Sequence, residues 1–338
     1  MHALAASFKR FASLECRDSS SLYEQLSLRI AEDEQLLTIA ANAGSGQPVP
    51  NLFLGAVHYL LMKGNAHPLR SYYASLVDDP QSLETAFAAF RSFCLSHEQE
   101  LIHLLRTKLV QTNEVRRCAY LYPAFCLVYR QSPKPLVLVE IGTSAGLQLL
   151  WDQYGYSYEK DGRIYGNKLS ELQLSSFIRS GNPMLLEHSP PVAARIGIDL
   201  HVNDMNCTED YVWLKALIWP EHRERAANFD KAVSELLRHR LSLHEGDGIE
   251  TLVEIARAIP VDQTLCIFHT HAANQFSQEA KLMLTRHLRE IGRSREVYHL
   301  YNNMQDRLLH LDSYAFGTEH ELTLAETDGH GRWFSWLL

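Results

Sequence analysis

Leucine and isoleucine recur at helical spacing near the start of the chain, with Leu22, Leu26 and Ile30 at i, i+4 and i+8 on one helix face. The helical pattern runs to about residue 130, broken at 42–48, 64–68 and 78–80, where glycine, proline and short polar side chains favour turns. This spacing predicts roughly five helices and no strand over 1–130. Gln131-Ser132-Pro133-Lys134-Pro135 follows as a linker, because two prolines lack the amide a helix needs and hold their predecessors extended.

Beyond the linker the period changes. Short apolar, β-branched runs at 136–141, 196–202, 241–244, 264–268 and 296–301 alternate with amphipathic stretches, which is the pattern of a parallel sheet with right-handed crossovers. The last stretch, 319–326 and 332–338 around Thr327-Asp328-Gly329-His330-Gly331, predicts a closing β-hairpin. Between the first two strands lies an insertion whose segments 154–158 and 163–166 are suited to pair across Lys160-Asp161-Gly162. The expected organisation is a helical domain over 1–130 and an α/β domain over 131–338.

The strongest local feature follows the linker. A fully apolar strand, Leu136-Val137-Leu138-Val139, ends at Glu140 and runs through Ile141-Gly142-Thr143-Ser144-Ala145-Gly146 into an expected helix. Small residues there allow close backbone approach to a ligand, and a helix start presents unused amides. The run resembles the acid-x-Gly-x-Gly-x-Gly motif of class I S-adenosylmethionine-dependent methyltransferases, with Glu140, Gly142, Ser144 and Gly146 at the four places. Ser144 departs from the usual middle glycine. The resemblance implies an S-adenosylmethionine site in which Glu140 lies near the amino group of the methionine moiety. Asp199 would then meet the ribose hydroxyls and Asp247 the adenine. The gap from Gly146 to Asp199 exceeds the roughly 20 residues familiar from dinucleotide folds.

Gly142-Thr143-Ser144-Ala145-Gly146 also satisfies G-x-S-x-G, so a serine hydrolase with Ser144 as nucleophile and His330 as base is an alternative. That elbow belongs late in a hydrolase sheet, whereas only helices precede it here. The NAD fingerprint G-x-G-x-x-G is absent. A bland reading also stands, in which the turn merely joins strand to helix with Ser144 as an N-cap. The protein would then be a non-catalytic binder on a degenerate methyltransferase fold.

Charge and cysteine usage narrow the partners. A formal net charge of −8 supplies no basic field for nucleic acid. Six cysteines without a C-x-x-C pair, several in apolar runs, read as reduced core thiols. No run approaches the roughly 20 apolar residues of a membrane span, and no signal peptide is apparent, so a cytoplasmic protein with a small-molecule substrate is expected.

Among the 17 histidines, His269 and His271 end the fourth predicted strand, where parallel sheets line their ligand crevice. An H-x-H on a strand puts both rings on one face, and either is a candidate to orient or deprotonate an acceptor. A metal shared with His330 is conceivable, but no ligand set is visible. Gln111 and Asn113, in the polar run 111–117, are candidate substrate contacts, as is Arg223 beside the Trp213 and Trp219 cluster; a solvated helix face and core packing are the plain alternatives.

Several blocks together, 111–115, 140–147, 197–200, 213–220 and 268–270, resemble the bacterial domain-of-unknown-function family DUF2332. The resemblance covers nearly the whole chain. It implies a helical N-terminal region fused to a Rossmann-like class I methyltransferase sheet, and it supplies no established substrate or catalytic residue.

Overall fold

The computed structural model describes residues 1–111, 114–158 and 162–338. The chain forms two compact units, Met1–Thr112 with Asn206–Ala227, and Asn113–Met205 with Asn228–Leu338.

The first unit is helical among its described residues. Its helices are His2–Phe11, Ser21–Ile30, Glu34–Ala40, Val49–Met62, Ala86–Ser96, Glu98–Thr107 and, from the returning segment, Thr208–Ala216. Two starts are capped as expected for these residue types: Ser20 accepts from Tyr23 N, and Asp33 from Gln35 N and Leu36 N. The nearly all-apolar helix Val49–Met62 is buried along most of its length, so it is covered on every side. Its His58 is buried and bridges Ala216 O at 2.9 Å and Ser75 Oγ at 2.7 Å. Trp213 sits edge-on to Tyr59, and Glu221 accepts from Ser20 Oγ and Leu22 N. These contacts tie 206–227 to this unit. Periodicity along one helix cannot announce such long-range partners.

The helix Cys118–Gln131, read from sequence as part of the N-terminal helical region, belongs to the second unit. Its Phe125 stacks on Trp151 at 4.4 Å and meets Phe268 edge-on at 5.4 Å. The strands of this unit are β1 (Leu136–Ile141), β2 (Gly155–Ser157), β3 (Ile164–Gly166), β4 (Gln173–Ser175), β5 (Phe177–Ser180), β6 (Val192–Asp199), β7 (Ser242–Glu245), β8 (Thr264–His269), β9 (Val297–Tyr301), β10 (Leu309–Ala315), β11 (Thr318–Thr327) and β12 (Trp333–Trp336).

The fold of this unit is mixed α/β, with a large, mostly parallel sheet ordered β5-β12-β11-β10-β9-β8-β1-β6-β7. From β7 to β9 every neighbour is parallel. β10, β11 and β12 continue as an antiparallel meander, and β5 closes the edge beside β12. β1 is buried at all six positions, as its unbroken apolar run requires of a strand covered on both faces. One face packs Val137, Val139, Leu265 and Ile267 against Leu284, Leu288 and Ile291 of helix Gln278–Gly292. The expected pairing of 319–326 with 332–338 is seen as β11 and β12. β10 lies outside the sequence reading, because its buried Asp312 breaks the apolar alternation.

The insertion forms a small sheet ordered β3-β2-β4, with β2 and β3 antiparallel as expected. It is pinned by buried tyrosines: Tyr154 donates to Leu147 O, Tyr156 to Trp151 O, and Tyr158 to Ala119 O. The helix expected after the glycine turn is instead a short 3-10 segment, Leu147–Gln153, with a non-helical break at Leu150. Besides the tyrosines, Arg195 Nε takes Leu149 O at 3.1 Å. Side-chain donors thus hold carbonyls that an α-helix would turn toward its own amides.

Candidate functional site

The parallel strands run in the order third, second, first, fourth, fifth. Their order reverses between β1 and β8, and the crevice outside such a switch point is where open α/β sheets bind ligands. Three non-glycine residues adopt left-handed backbone just past these strand ends: Ser144 (φ +53°) after β1, His271 (φ +61°) after β8 and Asn303 (φ +63°) after β9. Strain of this kind persists only where the surroundings hold it in place, and it gathers at functional positions.

At the β1 and β6 ends the polar groups are tied to one another. Gly142 is left-handed at +79°, and a Cβ there would meet Ala272 Cβ at 2.7 Å, so the loop after β8 lies directly on the turn. Gly142 N donates to Ile198 O at 2.8 Å. Ser144 N donates to Asp199 Oδ2 at 2.7 Å, and Asp199 Oδ1 accepts from His201 N at 3.1 Å. Asn203 donates from its side chain to Ser144 Oγ and from its backbone to Ser144 O, both at 3.2 Å. Glu140 is buried and accepts from Thr143 Oγ1 at 2.7 Å. Burial, with Asp199 nearby, pushes the Glu140 carboxyl up to about 8. Asp247, exposed beyond β7, accepts from Ile249 N and Glu250 N and so caps its own loop.

At the β8 and β9 ends the polar groups come from five distant parts of the chain. Arg117, nearly buried, donates from Nε to Gly329 O at 2.9 Å and lies 3.4 Å from Thr270 Oγ1. Thr270 Oγ1 donates to Gln148 Oε1 at 3.0 Å, and Gln148 reaches Glu114 O at 3.4 Å. His330 Nδ1 lies 3.6 Å from the buried Glu114 carboxylate. Asn302, wholly buried, accepts from His271 N at 2.8 Å and from Asn303 Nδ2 at 2.9 Å. Among the described residues, the buried polar atoms here that complete no hydrogen bond include Tyr120 Oη, His271 Nε2, Asn302 Nδ2 and His330 Nδ1. The Asn302 side chain lies close enough to Tyr120 to lower its phenol, against the burial that raises it. Burial, with Arg117 and His330 alongside, lowers His271 to about 3, so its ring is neutral.

A family model described as "uncharacterized protein conserved in bacteria", DUF2332, matches residues 5–336. The chain belongs to this family. No curated protein and no solved structure matches it.

In this DUF2332 chain the residues singled out from sequence fall in different places. Glu140, Gly142, Ser144, Gly146 and Asp199 come together at the β1 and β6 ends, with Asp247 past the neighbouring β7. His271 is at the β8 end. His269 is completely buried on the core face, where its Nε2 lies 3.1 Å from His299 Nε2 and its ring packs against Phe276 and Tyr301. The alternation that would give both histidines one face stops at His269, where the strand ends. Burial lowers His269 to about 3 and His299 well below its ordinary value. Arg223 spends its guanidinium on Ala74 O, Val77 O and Asp78 O, closing a loop of the first unit. Gln111 lies in that same unit, and Asn113 is outside the described residues.

The hydrolase partners take other companions, with the Ser144 hydroxyl on Asn203 and His330 on Glu114. Two cavities, of about 160 Å³ beside Ala256, Ile291 and Arg295 and about 240 Å³ along residues 95–100, leave the turn untouched. Among the described residues no group of three or more His, Cys, Asp or Glu is arranged to hold a metal, and no helix is long and apolar enough to cross a membrane. All six cysteines are free, and only Cys207 is exposed. Sequence reasoning passed over Tyr120, Gln148 and Asn302, and reached Arg117 only as the end of the polar run 111–117. The one legible hint was Asn302-Asn303 directly after a strand, since asparagine tolerates the left-handed region.

Proposed function

We propose that the protein is an S-adenosylmethionine-dependent methyltransferase acting on a small-molecule acceptor. The observation that carries this reading is the position of the Glu140 to Gly146 turn at the reversal of strand order, with Asp199 on the adjacent β6 end. The order of the five parallel strands matches the first five of a doubly wound nucleotide-binding sheet. Asp199 suits a ribose: it ends the strand next to β1, and a carboxylate accepts from a pair of hydroxyls. Glu140, held protonated by burial, suits an ammonium that replaces its proton.

S-Adenosylmethionine supplies an electrophilic methyl group on a sulfonium. The chain's part is to bind and orient, because proximity and alignment account for much of the barrier in a two-substrate displacement. His271, neutral down to about pH 3, is too weak a base to draw a proton efficiently near neutrality, so its role is to orient the acceptor. Isothermal titration of wild type and Glu140→Ala with S-adenosylhomocysteine tests the placement: the variant is expected to lose binding. Equal affinity for both proteins removes the cofactor from this turn.

A further inference from the structure

We propose that the cavity beside helices Leu252–Ala258 and Gln278–Gly292 binds a short-chain monocarboxylate, whose carboxylate meets the Arg295 guanidinium and whose tail lies along Val253, Ala256 and Ile291. The site is at the opposite end of the parallel strands from the glycine turn: Gln263 leads into β8 and Arg295 into β9, whereas the turn follows β1. It stands independently of the methyltransferase reading.

Neutral carbonyls hold the Arg295 side chain. Its Nη1 donates to Ile259 O at 2.6 Å and Ala256 O at 3.4 Å, and its Nη2 to Gln263 O at 2.8 Å and Pro260 O at 3.1 Å. These bonds close the loop that leads into β8 and fix the plane of the guanidinium. The remaining donor, Nε–H, is buried and completes no hydrogen bond among the described residues. Arg295 is only 8% exposed, and burial lowers its guanidinium below the ordinary value with no acid opposing the shift. A guanidinium keeps its charge at all working pH values, and a buried charge is costly unless paired. Carbonyls at a helix end offset part of that charge; a bound anion offsets the rest and gives Nε–H an acceptor.

The walls of the cavity select the ligand. Its other charged groups, Arg257 and Glu290, pair with each other at 3.1 Å and are exposed. With that pair neutralised, the net charge is the single positive one on Arg295, which matches a monoanion. Ser294 turns its hydroxyl onto Ile291 O, so Val253, Ala256 and Ile291 leave an apolar wall suited to an aliphatic tail. The volume of about 160 Å³ is far more than one water needs. A water would fill the Nε–H valence without matching the charge.

The test is a proton–nitrogen NMR titration of the full chain with butyrate and with neutral butyramide at constant ionic strength, following the Arg295 Nε–H signal. A saturable downfield shift of that signal with butyrate, at about tenfold higher affinity than with butyramide, is the expected result. Arg257→Gln alters an exposed position, keeps the fold and leaves Glu290 unpaired beside the cavity; it should bind butyrate about threefold more weakly. No saturable shift at Arg295, shifts confined to other parts of the chain, equal affinity for the two probes, or unchanged affinity in Arg257→Gln overturns the site.

Discussion

The two halves of the strand-end face, β1 with β6 and β8 with β9, handle their polar groups in opposite ways. At β1 and β6, Asp199 and Asn203 bind the backbone and side chain of the turn residue Ser144, and Glu140 holds Thr143. At β8 and β9, among the described residues, Tyr120, His271 and Asn302 each bury a polar atom that completes no hydrogen bond by distance and angle. The first arrangement closes on itself, and the second keeps polar atoms unmatched. A glycine-rich motif therefore marks where a backbone must approach closely, while unsatisfied buried groups mark where chemistry is still owed.

The largest effect that would break this contrast is expected at Gly142. Gly142→Ala puts a Cβ into left-handed backbone and against Ala272, and should cost about 3 kcal/mol from strain and overpacking together. Gly317→Ala, equally left-handed at +86° but with open space around it, should cost about 1 kcal/mol. Urea denaturation of the two variants makes the comparison, and equal costs would mean that the loop does not bear on the turn. Next in size is Asp199→Ala, which strips the partners from Ser144 N and His201 N and should cost about 2 kcal/mol.

Titration gives a third test. His269 and His271 are both lowered to about 3, so the unfolded chain takes up protons before the folded one. Their contribution is complete above the ordinary histidine value and is lost as pH falls from about 6.5 toward 3. Glu140 runs the other way: raised to about 8, it favours the fold most at low pH and ceases to do so as pH rises through that value. Thermal midpoints are thus expected to fall on both flanks. In Glu140→Gln the alkaline fall should shrink while the acid one remains. The smallest effect is expected at Tyr120: Tyr120→Phe removes a buried hydroxyl close to the Asn302 side chain and should change the stability of the free protein by no more than about 1 kcal/mol. A loss comparable to that of Asp199→Ala would show that the open end is closed after all.

Much of the sheet was legible because β1, β8 and β9 are buried throughout and so read as largely apolar runs, β9 broken by His299. Glu140 and Asp199 were legible as acids at strand ends. The 3-10 segment after Gly146 was not, because Arg195, Tyr154 and Tyr156 claim its carbonyls from elsewhere in the chain. Nor was the meeting of Arg117, Gln148, Thr270, Asn302 and Gly329, which exists only once the sheet order places their elements side by side. The burial of His269 was not legible either, because strand alternation says which residues share a face but not which face the core takes; the ring lies inside, on His299.

The most direct test of the cofactor reading is isothermal titration with S-adenosylhomocysteine at pH 7 in two buffers of different ionisation enthalpy. The account predicts micromolar binding, about −8 kcal/mol, with heats that differ between buffers because Glu140 gives up its proton to meet the ligand's ammonium. Absence of heat in both buffers would contradict it.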